Sequence, residues 1–244
     1  MAVETWFPLA VYYEDLGPSA EVKQEMLAYL NPLIEQYRKT ESKGAAYTGD
    51  TRGAWQLHRE KPFQWLRGRV EVHTIEFARK LGVNLGVIGF YFQRSWPVFS
   101  RKGEQVYRHC HPNATISGVY YLDVPPSEGE GGRLVFHNDS QQNSLGTGFG
   151  TDTTRGISQW NDLNYRDVLY KPIEGRLVLF PSKQPHSVEA CRAEGLRISL
   201  SFDIALTCSR HADPGQHEFL APPPGEWVEF SSQLQPDGND PERP

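Results

Sequence analysis

The 244-residue chain lacks the features that mark several protein classes. Its three cysteines, Cys110, Cys191 and Cys208, are an odd number with no C-x-x-C spacing. That pattern argues against a disulfide framework and a thiolate zinc site, and is expected of a reducing cytoplasm. No run of about 18 apolar residues occurs, so no segment reads as a membrane span. The opening MAVETWFPLAVYYEDL lacks the basic-then-apolar order of a secretory signal. Nor is there a basic excess: 25 Lys and Arg stand against 30 Asp and Glu, for a net charge of −5. That balance argues against nucleic acid or an anionic membrane as the main partner.

Turn-forming residues, by contrast, are plentiful. With 22 glycines and 18 prolines in 244 residues, short strands and turns are favoured over a helical bundle. The first third is nevertheless helical in pattern. Ser19 can cap a helix whose apolar positions Val22, Met26 and Leu30 recur every four residues. Asn31-Pro32 is expected to break or kink it before Leu33, Ile34 and Tyr37 resume the stripe. A second helix is predicted from about residue 62 to residue 81, and the polar, Gly-rich residues 40–54 between the two read as a loop.

After Gly82 the pattern changes to β. Residues 85–99 (LGVIGFYFQRSWPVF) are β-branched and aromatic, and a shorter strand ends near Cys110. Further strands are predicted at 114–124, 133–138, 174–181, 184–191 and 196–206. Two helices followed by many short strands predict a mainly β protein, a β-sandwich or jelly-roll with helices braced on one face. The expected organisation is one domain over 1–208, with a helical part at 1–84 and a β core at 85–208, then a C-terminal tail at 209–244. Residues 139–172 interrupt the core with a polar, Gly-rich insertion that carries Phe149, Trp160 and Tyr165, a candidate lid.

The histidines are placed unevenly. His109 and His111 form an H-x-H pair, and side chains two apart on a strand share a face, so both imidazoles can meet one ion. His186 follows between two predicted strands, and Arg197 lies eleven residues later inside the apolar strand LRISLSFDI. A buried arginine needs an anion or hydrogen-bonded partners. It could pair with Glu189 or Asp203, or, with Ser199 on its own face, hold the carboxylate of a ligand.

Together these segments, SWPVFSRKGEQVYRHCHPNATISGVYYLDVP, GGRLVF and EGRLVLFPSKQPHSVEACRAEGLRISLSFDI, resemble the Fe(II)/2-oxoglutarate-dependent oxygenases. The narrower likeness is to the bacterial and phage group related to prolyl hydroxylases, over roughly residues 5–206. The resemblance implies a double-stranded β-helix of the jelly-roll, cupin-like kind, with Fe(II) and 2-oxoglutarate as cofactors. It also implies oxidation of a C–H bond of a small-molecule or amino-acid-like substrate by O2, with release of succinate and CO2. Residue by residue, it assigns His109 and His186 to the metal, Arg197 and Ser199 to the distal carboxylate of 2-oxoglutarate, and Tyr121 to the same carboxylate. Arg108, Asn113 and Trp160 are candidate substrate contacts.

The chain departs from the usual H-x-D/E motif at His111, which makes either a third metal ligand or a residue behind the ligands. A competing H-x-D is offered by His137-Asn138-Asp139. Two other functions fit part of the pattern. One is a three-histidine cupin-type iron dioxygenase that uses no 2-oxoglutarate, which would leave Arg197 without a purpose. The other is a non-catalytic jelly-roll binding module.

Overall fold

Alternation along the strands decides the architecture. The computed structural model describes residues 2–54, 56–126, 131–139, 143, 156–213, 215 and 220–228. Among them the elements run β1 (Tyr12–Asp15), α1 (Ala20–Arg38), β2 (Tyr47–Thr48), α2 (Gln64–Lys80), β3 (Ile88–Ser100), β4 (Val106–His109), β5 (Ile116–Asp123), β6 (Leu134–His137), β7 (Asp167–Tyr170), β8 (Arg176–Pro181), β9 (His186–Val188) and β10 (Arg197–Cys208). These strands form a six-stranded sheet, β1-β8-β5-β10-β3-β2, and a four-stranded sheet, β4-β9-β6-β7. All the strand pairings are antiparallel. The protein is thus mainly β, with few helices and a jelly-roll arrangement of two sheets.

Strand β10 shows how the layers are built. Ile198, Leu200, Phe202 and Ile204 alternate onto one face and enter the main core with Met26, Leu30 and Ile34 of α1 and Leu66, Val70 and Phe77 of α2. Each such side chain contributes about 1.5–3 kcal/mol when fully buried. The opposite face of β10 carries Arg197, Ser199, Ser201 and Asp203. Strand β8 divides in the same way: Leu177 and Leu179 join the helix-side core, while Val178 and Phe180 join a second cluster with Tyr121, Leu134 and Phe136. Both helices therefore brace one face of the six-stranded sheet, and the other face looks onto the four-stranded sheet.

Three expectations need correction. Helix α1 does not break at Asn31-Pro32 but runs unbroken from Ala20 to Arg38. A proline inside a helix costs about 3 kcal/mol. Ile34 and Tyr37 beyond it are both buried, and their burial offsets that cost. Residues 40–54 are not all loop, because Tyr47 and Thr48 pair with Phe99 and Val98 of β3, and the next turn is 3-10 helical over Gly49–Arg52. Gly49 is obligatory there, since a Cβ would lie 2.5 Å from Pro97 and 2.6 Å from the Ala54 carbonyl. Finally, the 139–172 insertion contains a strand, β7, paired with β6. Its residues 140–142 and 144–155, Phe149 among them, lie outside the described residues, as do 229–244 of the tail. Within the described part of the tail, Cys208 N–H donates to the Ala221 carbonyl at 2.8 Å.

Candidate active site

Strands β4 and β9 set His109 directly opposite His186. His111 follows two residues after His109, fixed by its own N–H donating to the Ser182 carbonyl at 2.8 Å. The ring centroids are 4.3 Å apart for His109 and His186, 5.0 Å for His109 and His111, and 5.2 Å for His111 and His186. One nitrogen from each ring lies within 4.8 Å of the others, the only such metal-binding group among the described residues.

The other ring nitrogen is engaged in each case. His109 Nδ1 donates to the Tyr107 carbonyl at 2.7 Å and His186 Nδ1 to the Gln184 carbonyl at 2.9 Å. His111 Nδ1 lies 2.5 Å from Asp203 Oδ1. Partners of this kind fix the tautomer, so that the Nε2 lone pairs are presented to an ion. Burial pushes His186 down to about 3, and the neighbouring His109 and His111 add to the shift. His109 is lowered too, mainly by burial. His186 is therefore neutral at pH 7, the form that metal ligation requires.

Asp203 is 1% exposed. Its Oδ1 also accepts from Ser117 Oγ at 2.6 Å, and its Oδ2 from Arg94 Nε at 2.7 Å. These contacts follow from register, because Arg94 and Ser117 are the cross-strand neighbours of Asp203 on β3 and β5. Burial alone would raise its pKa, but the His111 and Ser117 hydrogen bonds and the Arg94 charge hold it below the ordinary carboxylate range.

At the other end of the same face, Arg197 is 2% exposed. Its Nη1 donates to the Gly132 carbonyl at 2.6 Å and its Nη2 to Ser100 Oγ at 2.8 Å. Its Nε is buried without a hydrogen-bond partner. No carboxylate among the described residues pairs with it: Glu189 binds Arg133, and Asp203 binds Arg94 and His111. A buried cation costs several kcal/mol in desolvation, which two neutral hydrogen bonds do not recover. Ser199 and Tyr121 are cross-strand partners beside it, and burial keeps the Tyr121 phenol protonated. Gly132 has φ +66°, and a Cβ there would lie 2.9 Å from Arg197 Nη1, so the glycine lets the backbone close on the guanidinium.

Between the two ends lies a cavity of about 380 Å³, lined by the three histidines, Arg197, Ser199 and Tyr121 and by apolar side chains that include Val98, Leu134 and Phe180. Asp50, Arg94, Tyr107 and Arg108 also line it. Arg94 pairs with Asp50 at 3.1 Å and lies over the Trp96 ring, while Arg108 pairs with Asp139. Asn113 is exposed, with its carbonyl accepting from Gln93, and Trp160 is 40% exposed and stacked on Tyr165. Neither of these lines the cavity.

The competing H-x-D does not converge on an ion. His137 is held at both nitrogens, by Asp167 at 2.6 Å and Ser187 at 2.9 Å, and Asp139 faces Arg108. Sequence reasoning missed Asp50, Arg94, Gly132 and the role of Asp203. For Asp203 a signal existed: continued alternation along RISLSFD puts it on the same face as Arg197.

Residues 94–203 match the family model described as "Putative 2OG-Fe(II) oxygenase". No curated protein matches the chain. Among solved structures, a prolyl-4-hydroxylase from Pseudomonas putida is 15% identical with a TM-score of 0.51, the match covering 80% of this chain and 92% of that one. A Trichoplax adhaerens prolyl hydroxylase, solved with a hypoxia inducible factor peptide fragment, is 18% identical with a TM-score of 0.50, covering 80% and 83%. HygX from Streptomyces hygroscopicus, solved with nickel and 2-oxoglutarate, is 12% identical with a TM-score of 0.51, covering 81% and 83%. At these identities the likeness is one of fold.

The matched span, with the histidine cluster inside it, indicates a 2-oxoglutarate-dependent oxygenase, an oxidoreductase. The family whose model these residues match uses Fe(II) and 2-oxoglutarate as cofactors. No helix among the described residues is long and apolar enough to cross a membrane.

Proposed function

We propose that His109, His111 and His186 hold Fe(II), that Arg197 with Ser199 and Tyr121 receives the distal carboxylate of 2-oxoglutarate, and that the enzyme hydroxylates or otherwise oxidises a C–H bond of a small-molecule or amino-acid-like substrate. The observation that carries this reading is Arg197, a buried guanidinium with an unpartnered Nε and no anion of its own. A bound carboxylate would satisfy both charge and hydrogen bonding. When bound, the iron and cosubstrate supply the oxidising power, O2 converting 2-oxoglutarate to succinate and CO2. The chain's own residues do the rest. Two imidazoles present lone pairs from the paired strands β4 and β9 and the third, His111, from just beyond β4, while Arg197 orients the cosubstrate and Val98, Leu134 and Phe180 keep its pocket dry.

A cavity of about 380 Å³ suits a small molecule. Substrate would enter past Asp50, Arg94 and Arg108, whose mixed charges suit a polar or amino-acid-like group. In this reading residues 1–208 act as one oxygenase domain, since the helices share their core with the sheet. Three free cysteines support a reducing, cytoplasmic setting. A three-histidine dioxygenase without 2-oxoglutarate is disfavoured, because it would leave Arg197 buried at a cost and without use.

Anaerobic optical titration with Fe(II), with and without 2-oxoglutarate, tests the proposal. A weak visible charge-transfer band that needs both components is expected. Iron binding without that band would overturn the cosubstrate assignment, and no iron binding would overturn the whole reading.

A further inference from the structure

The three histidines are not backed alike. His109 and His186 donate from Nδ1 to neutral backbone carbonyls, whereas His111 faces a buried carboxylate. His111 is also the residue that stands where an H-x-D/E motif would place an anionic ligand. We propose that Asp203 is a positioning residue that restores, from behind His111, the negative charge the metal site lacks in its ligands. The inference rests on the reading that the three histidines hold the iron.

Neutralising Arg94 does not account for Asp203. Arg94 is shared, with Nε on Asp203 Oδ2 at 2.7 Å and Nη1 on Asp50 Oδ2 at 3.1 Å, so two carboxylates face one guanidinium. One negative charge is left over. Oδ1 of Asp203 is directed away from Arg94, to His111 Nδ1 at 2.5 Å and Ser117 Oγ at 2.6 Å. Ser117 Oγ, its proton on Asp203, can accept from Ser182 Oγ at 2.8 Å, and the Ser182 carbonyl anchors the His111 N–H. The carboxylate, the ring and the backbone that carries the ring are thus held by one set of hydrogen bonds. A charge-assisted bond to Nδ1–H makes the opposite nitrogen a stronger donor and holds the ring in one orientation.

The test compares the full-length parent with Asp203→Asn, His111→Asp and the double variant, all free of 2-oxoglutarate. Anaerobic Fe(II) and Co(II) dissociation constants, the Fe(III)/Fe(II) midpoint potential and the thermal midpoint of the metal-free protein are the readouts. Asp203→Asn keeps size and one carbonyl acceptor but removes the charge. It should weaken metal binding by about 10- to 100-fold, the usual cost of losing such a partner, and raise the midpoint potential. In the His111→Asp background the charge sits in the ligand set, so Asp203→Asn should cost nothing there or improve binding by relieving like-charge repulsion. The proposal is overturned if Asp203→Asn binds metal within about twofold of the parent, or if its cost is equal in both backgrounds. If Asp203→Asn alone does not fold, the double variant decides: binding tighter than His111→Asp supports the proposal, and equal or weaker binding overturns it. A parent that binds neither metal overturns the underlying iron reading instead.

Discussion

The two ends of the inward face of β10 carry opposite charges in opposite conditions. Asp203, at one end, is buried with a hydrogen-bond donor on each oxygen: His111 and Ser117 on one, Arg94 on the other. Arg197, at the other, is as deeply buried yet has two neutral acceptors, one idle N–H and no counter-charge. Both side chains project from one strand, six residues apart. The difference teaches that burial alone does not reveal what a charge is for. A satisfied ion acts through the side chains that hold it, as Asp203 does through His111, while an unsatisfied one is complementary to something the protein binds.

This contrast can be broken from either side. The largest effect is expected from Asp203→Ala, which leaves the buried His111 Nδ1–H without its acceptor and Arg94 with Asp50 alone, and should lower unfolding stability by about 3 kcal/mol in a denaturant titration. Arg197→Met should do the reverse, leaving metal-free stability unchanged or higher, because no partner charge is abandoned. Its cost falls on the cosubstrate: the Kd for 2-oxoglutarate should rise about 100-fold, near 3 kcal/mol, with iron binding retained. An Arg197→Met protein that is strongly destabilised would show the guanidinium to be framework after all.

Acid sharpens the comparison. His186 has a pKa of about 3 in the fold against an ordinary 6.5. Between those values the unfolded chain binds a proton that the native chain refuses. Stability of the metal-free protein should therefore fall as pH drops from about 6.5 toward 3, by about 1.4 kcal/mol per pH unit from this group alone. A thermal midpoint that stays flat between about pH 6.5 and 5 would contradict the burial assigned to the ring. Gly132→Ala should be milder: its Cβ, at positive φ and 2.9 Å from Arg197 Nη1, should weaken 2-oxoglutarate binding about tenfold in the same titration. Smallest of all, His137→Ala should leave iron affinity within about twofold, and a large loss would revive the His137–Asp139 pair.

Much of this contrast was legible in the sequence, though unevenly. The ordered H-x-H, His186 and Arg197 could be read because strands obey a two-residue period and an arginine among Ile, Leu and Phe has few innocent explanations. Asp203 was visible as a residue but misjudged as a possible Arg197 partner, although six residues of strand set the two far apart on one face. Asp50 and Arg94 were hidden because they meet through long-range pairing, and Gly132 because its purpose is a backbone approach that spacing does not encode. The run through Pro32 was missed because tertiary burial outweighed local propensity. Strands β1 and β7 are edge strands, mostly exposed, with weak apolar alternation to announce them.

The place of β10 in the sheet also sets a timetable. It is the last described strand in chain order, yet it lies between β3 and β5, and Arg197 meets Ser100 across 97 residues of chain. At typical synthesis rates that interval lasts roughly 5–20 s, during which β3 and β5 have no central partner and the apolar faces of Phe99, Ile116 and Tyr120 stay uncovered. A nascent chain in this window would be a client for chaperones. Arg197 and Asp203 arrive together on this strand, so no translation product that ends before β10 carries either of them. The anion-facing end of the cavity is thus completed only with the strand that joins β3 to β5.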